Sequence, residues 1–116
     1  PCKIEMPCSE LQKVCRDLRE FGESVQITVS PTSFKLLTTS SGEHIEINYT
    51  TNQCVKIQSE ASMEMSFSLK YLISFCKACP LSDSVFIYIG SDQPMCVKFP
   101  ISESEHLSFY LAPKVD

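Results

Sequence analysis

A chain of 116 residues that is 43% hydrophobic, with three glycines, seven prolines and a net charge of −4, has the length of one domain and buries roughly two-thirds of its unfolded surface. No apolar run approaches the ~18 residues that cross a bilayer, and no series of charged, apolar and small residues marks a secretory leader, so a soluble chain is expected. The seven cysteines are odd in number and several fall inside apolar periodic patterns, which suits buried thiols in a reducing compartment, cytosol or nucleus, rather than a disulfide framework.

In chain order, a short strand over residues 3–6 precedes Ser9, the expected N-cap of a helix from Glu10 to about Phe21. Leu11, Val14, Cys15, Leu18 and Phe21 repeat at three- and four-residue spacing, one buried face, and Gly22 closes the helix. Four runs with period two follow: "SVQITVS" (24–30), "SFKLLTTS" (33–40), "HIEINYT" (44–50) and "CVKIQS" (54–59). "SMEMSFS" (62–68) leads into a second helix that Pro80 stops, and "SVFIYIG" (84–90), "MCVKFP" (95–100) and "HLSFYL" (106–111) complete the strands.

The chain thus reads strand, helix, three strands, and after an extra strand the same again. "ESVQITV" at 23–29 and "DSVFIYI" at 83–89 match in pattern at a spacing of 60, each just after a helix, the sign of an internal duplication. Two helices with one apolar face each, laid over largely antiparallel strands, predict an α+β domain with both helices on one side.

The second helix is unusual in an acidic chain, because residues 68–79 hold no carboxylate and only Lys70 and Lys77 carry charge. At 100° per residue, Leu72, Ile73 and Cys76 fall within about 60° of Leu69, while Lys70, Ser74 and Lys77 cluster at about 80° to 140°. On the first helix Lys13 and Arg16 lie opposite the apolar stripe with Arg19 on its flank, although Asp17 and Glu20 share that side. The first helix carries three basic and three acidic residues, the second two and none, and the remainder five and eleven. Both helices are therefore electropositive relative to the rest. A shared helix side would accept a polyanion by weak, salt-sensitive phosphate contacts without base readout, although a charged outward face is also what plain solvation produces.

Other chemistry finds little support. "CKAC" (76–79) has the spacing of a redox dithiol or half a zinc site, but it is expected at the C-terminal end of a helix, with no second pair nearby, which suits buried thiols and no metal site. His44 and His106 stand at strand starts, and there is no glycine-rich phosphate loop, no protease motif and no nucleophile triad, so no enzyme and no cofactor are expected. "NYT" (48–50) fits a glycosylation acceptor, a chance match in a reducing compartment. After Leu111, Pro113 cannot continue a ladder, so the tail is expected to leave the sheet as an extended arm, either frayed or offered to short partner peptides.

"CRDL" (15–18), "LKYLISFCKACPLSDSV" (69–85), "SDQP" (91–94) and "HLSFYLAPK" (106–114) together resemble the C-terminal domain of the proliferating cell nuclear antigen family, the eukaryotic DNA sliding clamps, over essentially the whole chain. The resemblance implies the DNA-clamp fold, with two βαβββ motifs per domain, two domains per subunit and three subunits in a ring around double-stranded DNA. It implies a nuclear processivity factor for DNA polymerase and a recruitment platform in replication and repair. On it, residues 1–116 are a C-terminal clamp domain, with an N-terminal clamp domain and an interdomain connector outside this sequence. Lys13, Arg16, Lys70 and Lys77 would face DNA. Pro94, Tyr110, Ala112, Pro113, Lys114 and Val115 would receive peptides of polymerases, nucleases and ligases. His44, Ile45, Glu46, Ile47, Asn48 and Tyr49 would form the subunit edge.

Departures from the family accompany it. Without the missing parts this chain is expected neither to close the usual ring nor to hold partners at full affinity. Pro31 stands where the family often carries a modifiable lysine, and Glu20 dilutes the positive helix face. Two alternatives remain at this point: a subunit of a checkpoint-type heterotrimeric clamp or divergent paralogue, and a thiol oxidoreductase using Cys76 and Cys79.

Overall fold

Burial alternates strictly along the strand-forming runs, with Val25, Ile27 and Val29 inside and Ser24, Gln26 and Thr28 between them, so each strand contributes one apolar face to a common interior. The computed structural model describes residues 2–52 and 54–115. Its elements are β1 (Cys2–Pro7), α1 (Cys8–Arg19), β2 (Ser24–Val29), β3 (Ser33–Ser40), β4 (Glu43–Thr50), β5 (Lys56–Ser59), β6 (Met63–Ser68), α2 (Leu69–Phe75), a 3-10 segment (Cys76–Leu81), β7 (Ser84–Ile89), β8 (Met95–Pro100) and β9 (His106–Leu111). This is the α+β clamp-type architecture expected, with every strand pair antiparallel.

The two repeats exchange their first strands. β1 joins the second repeat in a sheet ordered β5-β1-β7-β8-β9, while β6 joins the first in β4-β3-β2-β6. In register, Cys2 to Pro7 pair with Ile89 to Ser84, and Ser24 to Val29 pair with Ser68 to Met63. The exchange ties residues 77 to 87 positions apart in one sheet and 34 to 44 apart in the other into one core. The helices pack against each other, α1 over β1 and β7 and α2 over β2, and their apolar stripes close the interior. Phe34, Phe67 and Phe99 are wholly buried there, and truncating any one to Ala costs about 3–5 kcal/mol.

The helix starts differ from expectation for a reason the duplication explains. Ser9 is not the N-cap: α1 begins at Cys8 after Pro7, without a side-chain cap, and the Cys8 N–H donates to the Asp83 carbonyl at 3.0 Å. In the other repeat the Leu69 N–H donates to the Glu23 carbonyl, also at 3.0 Å. Each helix start is thus satisfied by the carbonyl just ahead of the partner repeat's strand, and no serine is needed.

Three further boundaries shift. The second helix is α-helical only to Phe75 and then tightens into the 3-10 segment, which contains Pro80 rather than ending before it. Proline has no N–H for the i−4 carbonyl and disfavours α geometry before it, so the turns contract. β5 starts at Lys56, not 54, because the Asn52 Oδ1 accepts the N–H groups of Cys54 and Val55 at 2.7 and 2.8 Å and holds them in a turn. Gly22 does not terminate α1 in a left-handed conformation. Instead a Cβ there would run into the Thr38 hydroxyl, so the glycine permits a close approach to β3. The left-handed glycine is Gly42, which with Ser41 makes the two-residue turn from β3 to β4 at φ of 81° and 51°.

Candidate nucleic-acid interface and partner surface

The stripe Cys8, Leu11, Val14, Cys15 and Leu18 anchors α1 inward, which turns Lys13 and Arg16 to solvent. Leu69 and Leu72 do the same for α2, leaving Lys70 exposed, and Lys77 projects from the 3-10 segment that continues it. Because α1 packs against both α2 and the 3-10 segment, all four expected cations belong to one helix layer. Arg16 lies close enough to Cys76 for its charge to act on that thiol, which places it near the junction of α2 with the 3-10 segment.

The four cations are not equivalent. Lys13 Nζ reaches Asp17 Oδ2 at 3.3 Å in an exposed pair one helical turn apart, an interaction worth a few tenths of a kcal/mol at most. Its charge is partly compensated. Among the described residues, Arg16, Lys70 and Lys77 make no salt bridge. Glu10, also on α1, is engaged elsewhere, accepting the Tyr49 hydroxyl at 2.7 Å. Tyr71, half exposed beside Lys70, is a neighbour that charge counting passed over.

The expected peptide-binding residues divide into two groups. The β8–β9 ladder runs from Pro100 and His106 to Met95 and Leu111; Pro94 and Ala112 follow at its end, and both are exposed. Tyr110, opposite Cys96, is 68% exposed on the outer face, and the neighbouring Cys96 thiol raises the phenol's pKa. The arm beyond does leave β9, as Pro113 requires, but it docks again. The Lys114 N–H donates to the Ser66 carbonyl at 2.8 Å and its Nζ to Ser24 Oγ at 2.6 Å, so the arm crosses to β6, the edge of the other sheet. Pro113, Lys114 and Val115 then line a cleft of about 560 Å³ with Met63, Met65 and Asp92. Pro94, Tyr110 and Ala112 lie outside it. The methionine alternation in "SMEMSFS" was the sequence signal for that wall.

β4 is an outer strand of its sheet and pairs, among the described residues, with β3 alone. His44, Ile45, Glu46 and Asn48 are exposed and Ile47 and Tyr49 half-buried, Tyr49 stacking on Phe34 at 6.0 Å between ring centroids. Glu46 is held loosely by Lys35 at 3.9 Å. The strand's other side offers eight residues of unpaired backbone, a template for another strand. His106, the second histidine, opens β9, an outer strand of the five-stranded sheet.

The cysteine pair at 76 and 79 is buried at the C-terminal end of the second helix, as expected, with Cys76 the C-cap residue of α2 and Cys79 on the 3-10 segment that continues it. The Cys76 thiol is raised chiefly by the neighbouring Cys15 thiol and then by burial, and burial pushes Cys79 up to about 11. A catalytic redox nucleophile, which must be thiolate near neutrality to turn over, needs the opposite shift, so the oxidoreductase reading is not favoured. Among the described residues no three His, Cys, Asp or Glu side chains converge on a metal position, and no helix is long and apolar enough to cross a membrane.

Comparison with known proteins matches residues 1–114 to the family described as "Proliferating cell nuclear antigen, C-terminal domain". A curated relative, "Proliferating cell nuclear antigen 2" of Drosophila melanogaster, is 35% identical over 119 residues, covering 99% of this chain and 46% of that protein. The chain therefore spans about half the length of this relative.

Proposed function

Because the chain belongs to the proliferating cell nuclear antigen family through its C-terminal domain, we propose that it is one domain of a nuclear DNA sliding clamp, a processivity and recruitment factor with no catalysis of its own. The observation that carries this reading is the helix layer, where Arg16, Lys70 and Lys77 stand exposed beside one another's elements while the rest of the chain is acidic. Repeated around a three-subunit ring, such layers would line a hole with a few weakly held cations. Contacts of this kind are blind to sequence and weaken with salt, and encirclement supplies the retention that affinity lacks.

Partner peptides of polymerases, nucleases and ligases would insert an aromatic side chain beside Tyr110, Pro94 and Ala112 and extend along Pro113, Lys114 and Val115. The buried aromatic would dominate the affinity. The edge His44, Ile45, Glu46, Ile47, Asn48 and Tyr49 would pair with the next subunit. No observation favours a mixed heterotrimer over a ring of identical subunits.

A topological experiment tests the proposal on the complete protein after assembly on DNA. Retention on circular duplex through a high-salt wash, with loss from the same DNA once linearised, is the expected result. Equal retention on both forms would mean that binding is by contact and not by encirclement.

A further inference from the structure

Four thiols that the clamp reading does not use meet between α1 and the 3-10 segment. Cys8 and Cys15 are two turns apart on the buried stripe of α1. Cys76 and Cys79 are three residues apart on the 3-10 segment, where positions i and i+3 eclipse, so both face α1. They lie in a row, Cys15 beside Cys76, Cys76 beside Cys79 and Cys79 beside Cys8, each close enough to act on its neighbour's titration. The Cys79 thiol also lies 3.5 Å from the Cys8 carbonyl. A row is not a shell, consistent with the lack of any converging metal site among the described residues.

Cys8, Cys15 and Cys76 are 2%, 2% and 1% exposed and Cys79 is 9% exposed, and of the four only Cys8 and Cys79 line a surface cleft of about 270 Å³, together with Ser9, Gln12, Pro80, Ser82 and Asp83. We propose that Cys79 and Cys8 are a modification site for small disulfides of the glutathione type, which join the two residues covalently and staple the 3-10 segment to the start of α1. A Cys76–Cys79 bond would lie within one short segment and constrain little. The Cys8–Cys79 bond links residues 71 positions apart and closes the longer loop.

The exchange balances in two steps. The Cys79 thiolate attacks one sulfur of the external disulfide, whose S–S bond breaks and releases one small thiolate. The Cys8 sulfur, giving up its proton, then attacks the Cys79 sulfur and expels the second. One protein disulfide forms, both protons pass to the leaving thiolates, and the external disulfide is reduced by two electrons to two thiols. Burial holds the Cys79 thiol at about 11 and Cys8 at about 12, so thiolate is scarce near neutrality and the staple sets slowly. Its rate should rise about tenfold per pH unit between about pH 7 and pH 10. Lys77 lies between the two segment cysteines and Arg16 is near Cys76, so the staple would also stiffen the cation layer. That consequence alone rests on the clamp reading.

The reduced full chain is incubated with oxidised glutathione and mapped by non-reducing peptide mass spectrometry. The expected product is a Cys8–Cys79 linkage two hydrogen masses lighter than the reduced chain. Its melting temperature should be higher by on the order of 10 °C, and reductant should reverse both changes. Cys8→Ser, lacking the second sulfur, should stop at a Cys79–glutathione adduct, and Cys79→Ser should abolish the linkage while exposed Cys54 still reacts. Recovery of Cys8 and Cys79 as free thiols at about pH 9 while Cys54 and Cys96 carry glutathione would overturn the proposal, as would a Cys76–Cys79 linkage in place of the expected one. The mapping is read without DNA, so failure of the clamp reading leaves it untouched.

Discussion

Burial has opposite consequences for the two kinds of titratable residue in this chain. The cations are exposed and available to phosphate, whereas the interior thiols are held neutral. For Cys8 and Cys79 the sign of the pH dependence follows directly. Their ordinary value is 9.0, and burial raises it to about 12 and about 11 in the folded chain. Between those values the folded chain binds more protons than the unfolded chain, so the contribution is fully present below pH 9 and is lost as pH rises through 11. Tyr49, raised from its ordinary value of 10.0 by burial and by donating to Glu10, adds to the same alkaline loss. Urea midpoints measured from about pH 8 to pH 11 should fall steadily, and the Cys8→Ser, Cys79→Ser double variant should fall less steeply. At this scale the sequence made the lysines and the buried cysteines legible, because helical periodicity alone assigns them to opposite faces. It did not reveal the Lys13–Asp17 pair, the Tyr49–Glu10 hydrogen bond or the thiol row. The last two depend on which elements become neighbours.

At the scale of elements, small residues act through contacts that no local pattern records. Gly22 reads as a helix terminator, yet its role is to let the end of α1 pass Thr38, whose hydroxyl donates to the Ser24 carbonyl at 2.7 Å. Gly22→Ala would force the new methyl against that hydroxyl and should cost about 1–3 kcal/mol by chemical denaturation. Gly42→Ala, strained by its positive φ but with open space around the new methyl, should cost less, about 1 kcal/mol. Reversal of that order would show that the approach of Gly22 to β3 is not a constraint. The arm teaches the same lesson: Pro113 in the sequence says that β9 ends, but the re-docking of Lys114 on Ser66 requires the edge of the other sheet to be in reach. Element type was readable almost throughout, since periods of two and 3.6 differ plainly. Boundaries moved wherever a neighbouring backbone carbonyl or an asparagine side chain supplied a partner.

For the molecule as a whole, the unpaired side of β4 and the helix layer are the two surfaces that a ring would use. The edge is long, has no proline and carries few charges, so it is poorly guarded against strand addition. If subunits pair there, Ile45→Asp in the complete protein should dissociate the ring into smaller species by analytical ultracentrifugation while the fold, read by melting temperature, changes little, because Ile45 is already 36% exposed. An unchanged ring would place the subunit contact elsewhere. By itself the sequence determined the α+β class, the duplicated strand-helix-strand order, the buried faces of both helices and the family, since each is written in local periodicity or contiguous motifs. Only the tertiary structure decided that the repeats trade their first strands, that helix starts are satisfied by the partner repeat, that the arm bridges two sheets, and that four cysteines far apart in the chain share one row. The reason is physical: periodicity fixes which side of an element is apolar, but the partner on that side is selected by packing among residues remote in sequence, which no local pattern encodes.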